Sequence, residues 1–335
     1  MLKLGFIGCG GIARHHAERI KKLKNARIVA ASDVVADAAK SFASDFGAEN
    51  HFDDYRKLLR SDEIDAVWVC TPTFQHAQPV IAAARAGKHV FCEKPMALKV
   101  ADAERMVEAC EKAGVRLTIG FVRRFDTFWG KFKQIVQSGA VGNPVIWRFA
   151  AGGKPARAWF RDVKKGGGPL IDGAIHNYDF ALQVFGPVAS VQASSLQFDK
   201  TSVGADTASA ILNFKSGDQH SLIWSWGVAA GAQVSGLNDI IGPKGSLQFG
   251  MTAKEPPKTF NPDTHGAFTL KTGNGREKVY PYRKQDMFLE QAKHVVRCFD
   301  NDEQPLVTAQ DGIDALKVAN AVLEAGRKQA TIKIR

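Results

Sequence analysis

Residues 2–13 read LKLGFIGCGGIA, and the fold follows from how this stretch is parsed. Apolar Leu4, Phe6 and Ile7 run into Gly8, Gly10 and Gly11, and a helical pattern continues through Ala13, Ala17 and Ile20. Strand, glycine turn and helix in that order are what a dinucleotide pyrophosphate requires. Gly8 can take the positive φ of a tight turn. Gly10 lets the backbone approach the phosphates, and Ala13 keeps helix and strand close. Gly11 and Ile12 open a helix whose free N–H groups and partial positive charge suit an anion. Asp33, 22 residues beyond Gly11, closes a second strand-like run, RIVAAS at 27–32. An acid there accepts both ribose hydroxyls of an adenosine and repels a 2′-phosphate. Val34 and Val35 follow it rather than an arginine, so NAD is expected ahead of NADP.

Composition bounds the rest. At 335 residues there is room for two cores, and 45% hydrophobic with 24% charged residues is ordinary for a globular protein. The first strand-like run begins almost at Met1, so no signal peptide is expected, and no apolar run reaches the roughly 18–20 residues of a membrane span. Cys9, Cys70, Cys92, Cys110 and Cys298 are odd in number and form no C-x-x-C pair, so neither disulfides nor a metal is expected. The expectation is a reduced, cytoplasmic protein without a membrane partner. The net charge of +11 is scattered over pairs such as Lys21–Lys22, Arg123–Arg124 and Lys164–Lys165. That is a weak nucleic-acid footprint, and no nucleic-acid partner is expected. The charge also attracts an anionic cofactor, and it leaves an acidic or phosphorylated substrate open.

Strand-like and helix-like segments alternate up to residue 120, with the continuous apolar run DAVWVC at 65–70 typical of a strand buried on both faces. The pattern predicts an α/β chain whose N-terminal domain, residues 1–120, is a doubly wound parallel sheet. From residue 145 strands predominate, several alternating apolar and polar residues, followed by helices over 286–300 and 309–328. Residues 121–335 therefore read as an α+β domain with a large open, mostly antiparallel sheet.

Ligands of doubly wound sheets sit beyond the carboxyl ends of the strands, and two such ends are chemically distinctive. After Cys70, Thr71-Pro72-Thr73 offers hydroxyls to a nicotinamide ribose or amide, or equally forms a plain turn and N-cap. His76 follows, as a cofactor-side or a capping residue. After Cys92 comes Glu93-Lys94-Pro95, in which proline restricts the conformation of the lysine before it. A lysine beside a cationic nicotinamide suits proton transfer or a hydrogen bond to a substrate hydroxyl. A third stretch, GGGPLIDGAIHNYDFALQVFG at 166–186, places Asp172 and His176 four residues apart, on one face of an expected helix. A carboxylate one turn from an imidazole orients a general base. An acidic first turn on an exposed polar helix face explains the same residues.

GFIGCGGIARHHA at 5–17, the Glu93-Lys94-Pro95 triplet, GFVRRFD at 120–126 and GGGPLIDGAIHNYD together resemble the glucose–fructose oxidoreductase and inositol dehydrogenase family, Gfo/Idh/MocA. The resemblance implies a Rossmann domain binding NAD and a C-terminal domain whose open sheet packs in homodimers or homotetramers. It implies that Lys94 contacts the reacting hydroxyl and that Asp172 and His176 form the catalytic pair, with histidine as proton acceptor. It puts Val122 and Arg123 near cofactor and substrate, and Trp159–Phe160 in the pocket wall, with Lys154, Arg157, Arg161, Trp224 and Trp226 as further candidates. The implied activity is NAD-dependent oxidation of a sugar or cyclic polyol. A glycosidase oxidising its sugar transiently and a non-catalytic dinucleotide sensor are the alternatives. Ala174 departs from the family, many of whose members carry glycine there.

Overall fold

A computed structural model describes residues 1–153, 158–232, 234, 236–253 and 257–334. It forms two compact units. The first comprises Met1–Val122 and Asp286–Leu316. Its six parallel strands are β1 (Leu2–Ile7), β2 (Ala26–Ser32), β3 (Asn50–Phe52), β4 (Ala66–Val69), β5 (His89–Cys92) and β6 (Leu117–Ile119). They lie in the order β3-β2-β1-β4-β5-β6, so the chain reverses direction across the sheet between β1 and β4. The connecting helices are α1 (Gly11–Ile20), α2 (Ala36–Phe46), α3 (Tyr55–Leu59), α4 (Ala77–Arg85) and α5 (Val100–Ala113). After β4, Thr73–Gln75 forms a 3-10 turn and α4 begins at Ala77.

The unit also recruits α8 (Met287–Asp300), a helix that the sequence reading assigned to the second domain. Its Ala292, Val295, Val296 and Phe299 join Phe6, Phe42, Trp68 and Phe91 in one core. Trp68 stacks on Phe91 at 5.1 Å and meets Phe299 edge-on at 6.0 Å. An amphipathic helix far along the chain thus covers a face of the parallel sheet.

The second unit comprises Arg123–Gln285 and Lys317–Arg335. It carries α6 (Thr127–Gln137), α7 (Ile175–Phe185) and the later part of α9 (Ala309–Lys328). Its nine strands are β7 (Ile146–Gly152), β8 (Val188–Leu196), β9 (Thr207–Phe214), β10 (Gln219–Ser225), β11 (Leu237–Gly242), β12 (Gly245–Phe249), β13 (His265–Thr272), β14 (Glu277–Arg283) and β15 (Ile332–Lys333). The order is β14-β13-β12-β11-β7-β10-β9-β8-β15, antiparallel throughout except where β7 runs parallel to β10. One face packs α6 and α7 through Trp129, Phe132, Trp147, Phe180 and Phe268, with ring centroids 4.8–6.3 Å apart. On the other face Ile211, Ile223 and Leu237 are 39–43% exposed.

Candidate active site

The dinucleotide end of the first unit is built as its glycines require. Gly8 has φ +89°, and a Cβ there would lie 2.8 Å from the Cys70 carbonyl carbon and the Thr71 nitrogen. The turn and the close approach of β4 together demand glycine. Gly10 precedes α1 in ordinary extended backbone. A Cβ on Gly11 would meet no protein atom within 4 Å, and its φ is not positive. Protein packing therefore gives no reason for glycine at 11, whereas a phosphate lying on the helix end does. Ile12 is 37% exposed beside it. Asp33 is half-buried at the end of β2, with its carboxylate accepting the Cys9 N–H at 2.8 Å. Thr71 Oγ1 is buried with no hydrogen-bond partner among the described residues. An orphaned hydroxyl at the carboxyl end of β4 fits a polar group of a bound nicotinamide nucleotide. Pro72 is extended, and Thr73, which opens the 3-10 turn, is buried.

Glu93 and His76 have their side chains engaged inside the protein. Glu93 is 7% exposed, and its carboxylate lies 2.6 Å from His16 Nε2. Burial pushes this carboxyl up. The His16 hydrogen bond and charge, with the Lys94 charge and N–H, outweigh burial and hold it below the usual glutamate range. His76 is 1% exposed, with a ring nitrogen on each of two backbone carbonyls, those of Pro95 and Thr71. Lys94 is half-buried between buried Glu93 and buried Pro95. Sequence reading missed His16: it lies 77 residues from Glu93, and nothing in the helix pattern marks it.

In the second unit the Asp172–His176 stretch differs from the expected helix. Gly167 and Gly168 take positive φ, and Pro169–Gly173 forms a single π-helical turn closed by Ala174 N–H donating to Pro169 O at 2.9 Å. The α-helix starts only at Ile175. Asp172 and His176 thus occupy a π-turn and the next helix, not two successive turns of one α-helix. π-turns of this kind recur at functional sites. Gly173 faces Trp224, whose Nε1 would lie 2.6 Å from an added Cβ. Ala174 is fully buried and tolerated, since the close contact falls at Gly173.

The exposed polar face proposed as an alternative is absent here. From Gly166 to Ala181 every residue is buried except His176, which is half-exposed. Asp172 is 6% exposed, Asn177 0% and Asp179 1%. Asp179 forms a buried ion pair with Arg124. Arg123 donates to Asn177 Oδ1 at 2.9 Å, and its guanidinium sits 4.4 Å from the Trp129 ring centre. Burial lowers its pKa to about 10, against the charges of Asp179 and Asp126. Val122, in the first unit, is buried. Trp159 is half-buried and stacks on Phe160 at 4.0 Å. Lys154 and Arg157 lie outside the described residues. Among the described residues no cluster of His, Cys, Asp or Glu could hold a metal, and no helix is long and apolar enough to cross a membrane.

Comparison with known proteins agrees with this architecture. Residues 2–121 match the family model of an oxidoreductase family with an NAD-binding Rossmann fold, and residues 129–248 match the GFO/IDH/MocA C-terminal domain. The chain is 32% identical to a myo-inositol 2-dehydrogenase of Thermotoga maritima, over 99% of this chain and 98% of the relative. It is 26% identical to a scyllo-inositol 2-dehydrogenase (NAD(+)) of Bacillus subtilis, over 99% and 96%. The crystal structure of a probable dehydrogenase from Thermotoga maritima superposes with a TM-score of 0.79 at 32% identity, covering 99% of this chain and 98% of that one.

Proposed function

The chain belongs to the Gfo/Idh/MocA family of NAD-binding oxidoreductases, and on that premise we propose that it oxidises a secondary hydroxyl of a sugar or cyclic polyol, inositol first among them. The observation that carries this reading is the partial exposure of His176. It is the one imidazole left accessible on a segment otherwise sealed from water. An accessible base on a rigid, buried support is what proton abstraction from a carbinol needs. His176 accepts the hydroxyl proton. Asp172, buried on the preceding π-turn, supplies the carboxylate that favours the imidazolium. Lys94 donates a hydrogen bond to a substrate hydroxyl oxygen and stabilises charge that develops on it. Asp33 holds the adenosine ribose, and the N-terminus of α1 holds the pyrophosphate. Bound NAD supplies the hydride acceptor.

The open sheet face supports a homo-oligomer. Ile223, Ala150 and Leu237 stand in one register row across β10, β7 and β11, with Ile223 and Leu237 exposed. Such a row is suited to face-to-face packing against a second copy. Light scattering reads the assembly directly, and a monomer at assay concentration removes it.

The activity test is absorbance of reduced nicotinamide across myo-inositol, scyllo-inositol, hexoses, uronates and sugar phosphates. Net NADH formation with a polyol or sugar, lost in His176→Ala, is the expected result. Turnover without net NADH points instead to transient oxidation. Absence of any turnover that distinguishes wild type from His176→Ala removes the enzymatic assignment.

A further inference from the structure

The segment around Lys94 is gripped by side chains on both sides. Upstream, Glu93 Oε2 accepts the Lys94 backbone N–H at 3.0 Å, while Oε1 meets His16 Nε2 at 2.6 Å. Gly120 leaves room for this carboxylate, since a Cβ there would stand 3.0 Å from Oε1. Downstream, His76 Nδ1 lies 2.9 Å from Pro95 O and its Nε2 lies 2.8 Å from Thr71 O. All three of His16, His76 and Glu93 are less than 9% exposed.

We propose that Glu93 and His76 are positioning residues that fix the backbone before and after Lys94, and that His16 ties this restraint to α1. The inference rests on the role proposed above for Lys94. His16 projects from the helix whose first turn carries Gly11 and Ile12, so the dinucleotide-facing helix and the Lys94 backbone share one hydrogen-bonded chain. His76 stands between the Thr71 loop and this segment, with Nε2 2.8 Å from the Thr71 carbonyl and Nδ1 2.9 Å from the Pro95 carbonyl. Carbonyl oxygens only accept, so the two contacts ask for a proton on each ring nitrogen. Burial outweighs the Thr71 and Pro95 carbonyls and the Glu93 charge and lowers the His76 pKa, so at neutral pH the ring carries one N–H and donates to one carbonyl; that proton is assigned to Nδ1 and the bond to Pro95 O. Each tie takes a backbone group that would otherwise be free to rotate and holds it in a buried, low-dielectric setting, where hydrogen bonds are strongest.

Paired substitutions separate positioning from bulk stability. Glu93→Gln keeps an acceptor for the Lys94 N–H, and Glu93→Ala removes it. His76→Asn keeps a donor near the Nδ1 position, facing Pro95. His76→Gln keeps one near Nε2, facing Thr71. Three quantities are read: kcat and KM with myo-inositol, NAD affinity by fluorescence titration, and the acetic anhydride labelling rate of Lys94 by peptide mass spectrometry. Expected are kcat values within about threefold of wild type for Glu93→Gln and His76→Asn. Glu93→Ala and His76→Gln should lose at least about tenfold in kcat. They should also change Lys94 labelling about threefold or more, with NAD affinity little altered. Equal losses within each pair, or unchanged Lys94 labelling in all four variants, overturn the proposal. Should Glu93→Ala fail to fold, Glu93→Asp, which withdraws the carboxylate from the Lys94 N–H, serves in its place. The labelling assay needs no turnover. A fully active Lys94→Ala would therefore sink the catalytic role of Lys94 while leaving positioning to be judged by its own readout.

Discussion

The Asp33 carboxylate accepts the backbone N–H of Cys9 at 2.8 Å through one oxygen and that of Val35 at 3.0 Å through the other. It is therefore held in place from both sides, by the glycine loop and by the turn after β2, before any ligand arrives. A fixed carboxylate accepts ribose hydroxyls without first being ordered, and it resists a phosphate by charge. Asp33→Ala should raise KM for NAD by roughly ten- to a hundredfold, the value of about 1.5–3 kcal/mol for hydrogen bonds to a charged acceptor. It should raise KM for NADP far less. Steady-state kinetics with both cofactors checks this, and an unchanged NAD-to-NADP preference would remove the role given to Asp33.

His176 stands as the accessible exception on a buried segment, so its removal should cost chemistry rather than structure. His176→Ala is expected to lower kcat by about a hundredfold to ten-thousandfold, the usual range for a general base. Its melting temperature should stay near that of wild type. Asp172→Asn should lower kcat as well, with the far-ultraviolet circular dichroism preserved. A His176→Ala enzyme within tenfold of wild-type kcat contradicts the assignment.

The cysteines should be chemically quiet. Burial, with the charge of Asp33 adding to it, raises the Cys9 thiol to about 12, and burial raises Cys110 to about 12. Burial also pushes Cys70, Cys92 and Cys298 upward. For a pKa of 12, the thiolate fraction at pH 8 is only about one in ten thousand, and thiolate is the reactive form. Ellman's reagent at pH 8 should find almost no fast thiol in the native protein and all five after guanidinium unfolding. Rapid native reaction of even one would show that the structure burying it opens readily.

The Glu93 carboxyl titrates below its ordinary range in the folded chain, which fixes the sign of its effect on stability. The unfolded carboxyl, at about 4.3, binds a proton first as pH falls. The stabilisation is complete above that value and is lost as pH drops through the folded pKa. Urea unfolding of wild type and Glu93→Gln should show the largest gap near pH 7 and a shrinking one toward pH 3. A gap that widens in acid would mean the carboxyl is raised rather than lowered.

How much of this could be read from residues alone depends on the range of the interactions. The parallel sheet was legible because its signals are local: the glycine turn, the apolar run at 66–69 and the acid after β2. β11 was not, because Asn238 and Asp239 break its apolar pattern. Those two are satisfied across the sheet, Asn238 by the Trp147 indole at 2.8 Å and Asp239 by Arg148 at 2.6–2.8 Å. The π-turn was hidden because one extra residue in a turn leaves an i, i+4 spacing unchanged on paper. The amphipathic stripe of α8 announced a helix but not the sheet it covers. Glu93 and His76 stood out by sequence, yet their roles depend on His16, Thr71 and Pro95, contacts that spacing does not encode.

Asp179 shows the same lesson at the level of stability. In sequence it lies three residues beyond His176; in the fold its side chain is 1% exposed and meets Arg124, itself 8% exposed in its side chain. The guanidinium reaches both carboxylate oxygens through Nε, and one of them again through Nη2. Removing one partner strands the other charge away from water, which costs about 3–5 kcal/mol. Replacing both by apolar groups of similar volume removes that stranded charge. Asp179→Ala should therefore lower stability to urea by about 3–5 kcal/mol, while Arg124→Met with Asp179→Leu recovers most of the loss. A double variant as unstable as the single one would mean that the pair specifies the approach of the α6 segment to α7 and does more than neutralise itself.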